Sequence, residues 1–178
     1  HPLCRWWHYV CVVMFKGAVI VMGVTSCGKT AVGEKLAVLL NAPFVEGDAL
    51  HPPANISKMS NGIALNDEDR WPWLGQIGIA LRGRNAIVAS CSALKRAYRD
   101  RLVDAAQRPI AFVFLHGKRE QLAARIAARK NHFMPPSLLD SQLSTLEPPT
   151  VEEGAIVIDI GSSVDEIAHE ALLKLEQR

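Results

Sequence analysis

The sequence predicts a three-layer α/β fold, a central parallel sheet with helices on both faces. Short apolar runs with little polar alternation mark strands that are buried on both sides. Helical patterns separate these runs, and that alternation makes β-α units and a parallel sheet. The 178 residues, 49% hydrophobic and 21% charged, suit one domain with one sizeable core.

The elements follow in order. Residues 1–13 read as an appendage outside the fold, with Met14 as a plausible natural start and the domain over 14–178. The apolar run at 9–15, after Arg5-Trp6-Trp7, is about seven residues long. A membrane helix needs roughly 20, so no membrane partner is expected. Residues 18–22 form the first strand, and 29–40 a helix with Val32, Leu36 and Leu39 on one stripe. Pro43-Phe44-Val45-Glu46 is a weaker strand. Strands follow at 86–90, 110–115 and 155–160, with helices at 98–106, 120–130 and 164–175, the last after the cap signal Ser162-Ser163. Two stretches break the alternation. Residues 47–74 are polar and rich in Asp, His, Pro and Asn. Residues 131–149 carry Pro135-Pro136 and Pro148-Pro149 around a short apolar helix. Long insertions in a compact fold are usually lids or binding segments, so the first is read as a substrate-binding insertion and the second as a lid.

Composition excludes some classes. Twenty Lys and Arg against 18 Asp and Glu leave a net charge of +2, which argues against a basic nucleic-acid binder. The four cysteines, Cys4, Cys11, Cys27 and Cys91, form no C-x-x-C pair and no zinc cluster. They read as reduced thiols of a cytoplasmic protein.

Gly23-Val24-Thr25-Ser26-Cys27-Gly28-Lys29-Thr30 matches G-x-x-x-x-G-K-[ST] at every fixed position, after a strand and before a helix. Glycines let successive backbone N–H groups turn inward around phosphate oxygens, and the helix adds its N-terminal amides. Lys29 reaches the β- and γ-phosphates of ATP, and Thr30 is placed for Mg²⁺. No N-K-x-D guanine signal is present. The motif gives nucleotide binding and leaves the reaction open between a small-molecule kinase and a nucleotide-binding regulatory module.

Asp48 follows the second strand, near the cradle, where a carboxylate can orient an attacking hydroxyl and take its proton. It can equally be a turn residue. Arg70 can offer a fork to a carboxylate. Lys58, His51 and Asn55 lie in the polar insertion within reach of hydroxyls, although a His before Pro is more often structural. Ser92, Lys95, Arg96 and Arg99 follow the third strand's end, where ligands converge. Lys95 or Arg99 can hold substrate, or be a solvated helix charge. Arg125 and Arg129 share a helix face before the lid and can neutralise a transferring phosphoryl group.

The blocks around these residues resemble the bacterial-type gluconokinases. Gly47-Asp48-Ala49-Leu50-His51-Pro52-Pro53-Ala54-Asn55-Ile56-Ser57-Lys58-Met59 resembles their G-D-x-L-H-P-x-x-N-I-x-K-M. Gly62-Ile63-Ala64-Leu65-Asn66-Asp67-Glu68-Asp69-Arg70 with Pro72-Trp73-Leu74, and Cys91-Ser92-Ala93-Leu94-Lys95-Arg96 with Tyr98-Arg99-Asp100, continue it. His132-Phe133-Met134, Ser141-Gln142 and Thr145-Leu146-Glu147 resemble the family's lid. The similarity runs from about Gly17 to the C-terminus. It implies a nucleoside-kinase-like P-loop kinase fold with a lid, ATP-dependent phosphorylation of D-gluconate to 6-phospho-D-gluconate, Mg²⁺, a cytoplasmic setting and a homodimer. Two positions depart from the family. Thr25-Ser26-Cys27-Gly28-Lys29-Thr30 stands where S-G-S-G-K-S is frequent, and Glu46 stands where Asp is frequent. A shikimate-kinase-like enzyme would share the loop and Asp48 but lack the H-P-x-x-N-I-x-K-M and C-S-A-L-K blocks.

Overall fold

The structure, a computed structural model, describes residues 15–129 and 136–178. The expected appendage at 1–13, the start at Met14, Lys130 and the lid residues His132-Phe133-Met134 lie outside the described residues.

Five strands form one parallel sheet in the order β2-β3-β1-β4-β5. They are β1 (Ala18–Met22), β2 (Phe44–Glu46), β3 (Ile87–Ser90), β4 (Ile110–His116) and β5 (Ile156–Asp159). β1 is apolar throughout and fully buried, as a central strand covered on both faces must be. Val21 sits opposite Ser90 on one side and Val113 on the other.

Alternate residues of β1 feed two cores. Val19 and Val21 pack with Val32 and Leu36 of α1 (Lys29–Leu40) and with Ile167 and Leu175 of α7 (Val164–Glu176). Ala18, Ile20 and Met22 pack with Leu74 and Ile77 of α3 (Asp67–Ala80) and Leu102 of α4 (Arg96–Ala106). Helices therefore cover both faces, giving the three expected layers. Burying a side chain such as Leu36 or Leu102, each 0% exposed, contributes about 2 kcal/mol.

The expected elements are present, with edges that move by a residue or two. The helix after the Ser162-Ser163 signal starts at Val164 because Ser163 Oγ accepts from Glu166 N at 3.2 Å. The polar insertion departs more from expectation. It holds α2 (Pro53–Ser60) and the first half of α3, which begins at Asp67. The start is set by a capping box. Asn66 Oδ1 accepts from Asp69 N at 2.9 Å, and Asp69 Oδ2 accepts from Asn66 N at 3.0 Å. Asp67, Glu68 and Asp69 add negative charge at the positive helix end. Pro72 inside the helix forfeits one backbone bond, but Trp73, Leu74 and Ile77 beyond it are buried and hold the helix down. Beyond β4 come α5 (Arg119–Ala128) and α6 (Pro136–Thr145).

The chain leaves β1 for the edge strand β2, returns through β3, and then crosses to β4 on the other side of β1. The carboxyl end of β1 is therefore the switch point where such sheets bind ligands. There Gly23 N donates to Ser92 O at 3.3 Å and Cys91 N to Val21 O at 3.1 Å, so the loops after β1 and β3 are tied together.

Candidate active site

Three residues of the loop after β1 have positive φ: Gly23 at 148°, Ser26 at 65° and Gly28 at 94°. These angles fold the segment into a compact turn, closed by Cys27 N donating to Val24 O at 3.3 Å. The turn leaves no room at Gly23, where a Cβ would stand 2.7 Å from Cys27 Sγ and 3.0 Å from Leu115 O. Lys29 Nζ donates to Val24 O at 3.1 Å. Ser26 Oγ is buried with no hydrogen-bond partner among the described residues. A buried hydroxyl without a partner costs free energy, and an anion in the cradle would satisfy it. Burial pushes the Cys27 thiol up, with Lys29 and Arg125 opposing.

Arg125 on α5 crosses this loop. Its Nη1 donates to Cys27 O at 3.2 Å and its Nη2 to Ile160 O at 2.6 Å. Arg129 ends the same helix and lines a cleft of about 360 Å³ together with Ser26, Lys29, Thr30, Glu46 and Asp48. The structure thus gathers the loop, both lid-side arginines and Asp48 around one region.

Sequence reasoning left Glu46 open, and the structure places it in the lining of the cleft. Its Oε2 accepts from Thr30 Oγ1 at 2.7 Å, and its Oε1 accepts from Ser90 Oγ at 2.7 Å. Ser90 Oγ in turn accepts from Gly47 N at 3.3 Å. A Cβ on Gly47 would stand 2.0 Å from Ser90 O, so only glycine lets β2 turn here. Asp48 follows on the exposed 3₁₀ turn, and Trp73 Nε1 holds that turn through Gly47 O at 2.8 Å. Among the described residues no cluster of three or more His, Cys, Asp or Glu could cage a metal. One hydroxyl and one carboxylate beside a phosphate cradle nevertheless fit Mg²⁺, which is usually held by one or two carboxylates plus substrate phosphates.

A second cationic group lies on α3 and before α4. Arg70 Nη1 donates to Tyr98 OH at 3.2 Å, and Lys95 Nζ lies 3.6 Å from Asp67 Oδ2. Both cations stand over the Tyr98 ring, at 5.6 and 5.5 Å from its centroid. Tyr98 OH donates to Asp67, and that bond, aided by Lys95 and Arg70, holds the Asp67 carboxyl below its usual range. His51 stacks on Trp73 at 4.1 Å. Burial lowers the pKa of His51, with the Asp48 charge opposing and Arg70 reinforcing the shift. Burial therefore favours the neutral ring. Nδ1 lies 3.2 Å from Asn55 Nδ2; as acceptor of that bond, it leaves the ring proton on Nε2.

Two other expected substrate contacts, Lys58 and Arg99, have their side chains engaged elsewhere. Lys58 Nζ donates to both oxygens of Asp69 at 2.8 Å and ties α2 to α3. Ser92 gives its main-chain carbonyl to Gly23. The structure does not bring Arg99 to the cleft. Its side chain is 2% exposed, and it donates to Glu153 Oε1 at 2.7 Å, Ala93 O at 2.8 Å and Glu147 O at 3.0 Å. It is a buried bolt between the loop after β3 and the segment after α6.

Comparison with known proteins agrees with this geometry. Residues 19–149 match the family described as AAA domain. The chain is 45% identical over 166 residues to the thermosensitive gluconokinase of Escherichia coli K12, covering 89% of this chain and 88% of that protein. It is 45% identical over 159 residues to the gluconokinase of Gluconobacter oxydans, covering 87% and 88%. The crystal structure of a gluconokinase from Sinorhizobium meliloti superposes with a TM-score of 0.84 at 52% identity, covering 92% of this chain and 93% of that one. With identities this high over nearly the whole of each relative, the chain belongs to the gluconokinase family.

Proposed function

We propose that this protein transfers the γ-phosphoryl group of ATP to the terminal hydroxyl of D-gluconate, giving 6-phospho-D-gluconate and ADP. The observation that carries this reading is the shared cleft of Lys29, Thr30, Glu46, Asp48 and Arg129. It sets a candidate acceptor base beside a phosphate cradle. In this reading residues 23–30 hold the phosphates, and Lys29 spreads charge over the β- and γ-groups. Asp48 orients the hydroxyl and takes its proton as the new O–P bond forms and the bond to ADP breaks. Arg125 and Arg129 stabilise the charge on the moving group. Arg70 and Lys95 take the carboxylate of gluconate, and His51 and Ser92 meet its hydroxyls.

Thr30 and Glu46 would hold Mg²⁺, which when bound draws charge from the phosphate oxygens. A cytoplasmic setting and a homodimer complete the reading, and light scattering on the purified protein tests the dimer. The main test is ADP release with gluconate, shikimate, other sugar acids and no acceptor. Gluconate-dependent release is expected. Turnover without dependence on any acceptor overturns the kinase assignment, and preference for another acid overturns the substrate.

A further inference from the structure

α6 presents an apolar stripe to the core. Leu139 is 1% exposed, and Leu143 and Leu146 pack against the same cluster. Spacings of three and four residues put Gln142 on that stripe too. A polar side chain there must find hydrogen bonds. Gln142 Oε1 accepts from Thr25 N at 2.7 Å, a contact that spans 117 residues of sequence. That N–H belongs to the phosphate loop. A second observation lies one residue on, where Ser26 Oγ is buried without a hydrogen-bond partner among the described residues.

We propose that Gln142 is a binding residue for the terminal phosphoryl group of the nucleotide. The side-chain amide is planar, so fixing Oε1 on Thr25 N also fixes the two N–H donors of Nε2 at the loop. Oε1 anchors α6, and Nε2 donates to an oxygen of the phosphoryl group alongside Ser26 Oγ. The terminal group is the one concerned because Thr25 and Ser26 share their cleft with Asp48, and the phosphoryl group that moves must lie nearest the acceptor's base. An amide suits this place. It donates without carrying a titratable proton, so it does not compete with Asp48 for the proton of the acceptor.

The inference rests on the phosphoryl-transfer reading above, and its test needs no acceptor. Calorimetric titration would compare ADP with a non-hydrolysable ATP analogue on the wild type, Gln142→Leu and Gln142→Glu. Loss of a hydrogen bond to a charged group is expected to weaken the analogue about ten- to hundredfold in Gln142→Leu, with ADP within about twofold. Gln142→Glu keeps an oxygen for Thr25 N but has no donors and adds negative charge, so its loss for the analogue is expected to be at least as large. Equal weakening of both nucleotides would make Gln142 a strut only, and no weakening of either would remove it from the site. Either outcome overturns the inference. A wild type that binds both nucleotides but phosphorylates no gluconate would overturn the acceptor assignment and leave this comparison intact.

Discussion

Asp48 stands one glycine away from Glu46, and the two carboxylates have different surroundings. Glu46 is clamped by Thr30 and Ser90, which suits a fixed metal-side group, whereas Asp48 is exposed on its turn and open to an incoming hydroxyl. Asp48→Asn keeps shape and loses basicity. Its kcat is expected to fall by about 10²–10⁴, with the KM for ATP within about twofold, in steady-state kinetics. Unchanged turnover would remove Asp48 from the mechanism. Arg70→Ala is expected to raise the KM for gluconate by about tenfold or more, the loss of a charge-assisted bond. If only the ATP constant moved, the carboxylate role would be wrong. The G-x-x-x-x-G-K-T spacing made the loop legible, because its chemistry lies in backbone amides that follow the local sequence. Glu46 was less so, since its setting depends on Thr30, 16 residues earlier, and Ser90, 44 residues later. Cys27 lies within the loop itself. In the structure it is 0% exposed and burial raises its pKa, while the Cys91 thiol is pushed up to about 12. Burial thus favours the protonated, less nucleophilic thiol at both positions.

Elements were most legible where one face is apolar and least where polar side chains make the structure. The strand at Ala18–Met22 and the helix at Lys29–Leu40 follow from their patterns to the residue. The helices at 53–60 and 67–80 were hidden by polar composition and by Pro72. The one local cue was Asn66 three residues before Asp69, a capping pair that shows its worth only once both bonds are seen. Arg99 differs for a related reason. Its place after β3 suggests a substrate contact or a solvated helix charge, and it is neither, because α4 turns it inward, where it joins Ala93, Glu147 and Glu153. The segment after α6 thus hangs on α4. Arg99 holds the Glu153 carboxyl below its usual range against burial, which raises it, and Thr150 N assists. A depressed folded pKa means that the stabilisation is complete above the unfolded carboxylate value of about 4.3. It is lost as pH falls through the lower folded value. Glu153→Gln leaves a buried guanidinium without its counter-ion and is expected to lower stability by about 3 kcal/mol at pH 7. The gap from wild type should narrow below about pH 4. Urea titrations across pH check this, and parallel stability curves would show that the pair carries no linked proton.

At the scale of the whole molecule, the parallel sheet was readable from strand-helix alternation, but the order β2-β3-β1-β4-β5 was not. Order depends on which faces the helices cover, and the apolar runs look alike whichever neighbour they take. That order puts β1 between β3 and β4 and so opens the switch point that the loop at 23–30 occupies. It also gives meaning to a net charge of only +2. Lys29 and Arg129 line the cleft, with Arg125 across the loop, while Arg70 and Lys95 flank Tyr98. The near-neutral sum therefore averages over local clusters of cations. A polyanion that binds the folded state alone should stabilise the whole fold by mass action. ADP with Mg²⁺ at a hundredfold excess over its Kd is expected to add about 2.7 kcal/mol. For a chain of this size that raises Tm by roughly 5–10 °C. Lys29→Ala, scanned at the same nucleotide concentration, is expected to lose most of that rise, because its Kd for the phosphates is weaker. Scanning calorimetry of both proteins, with and without nucleotide, decides the matter. An equal rise in the two would place the stabilising nucleotide somewhere other than the loop after β1.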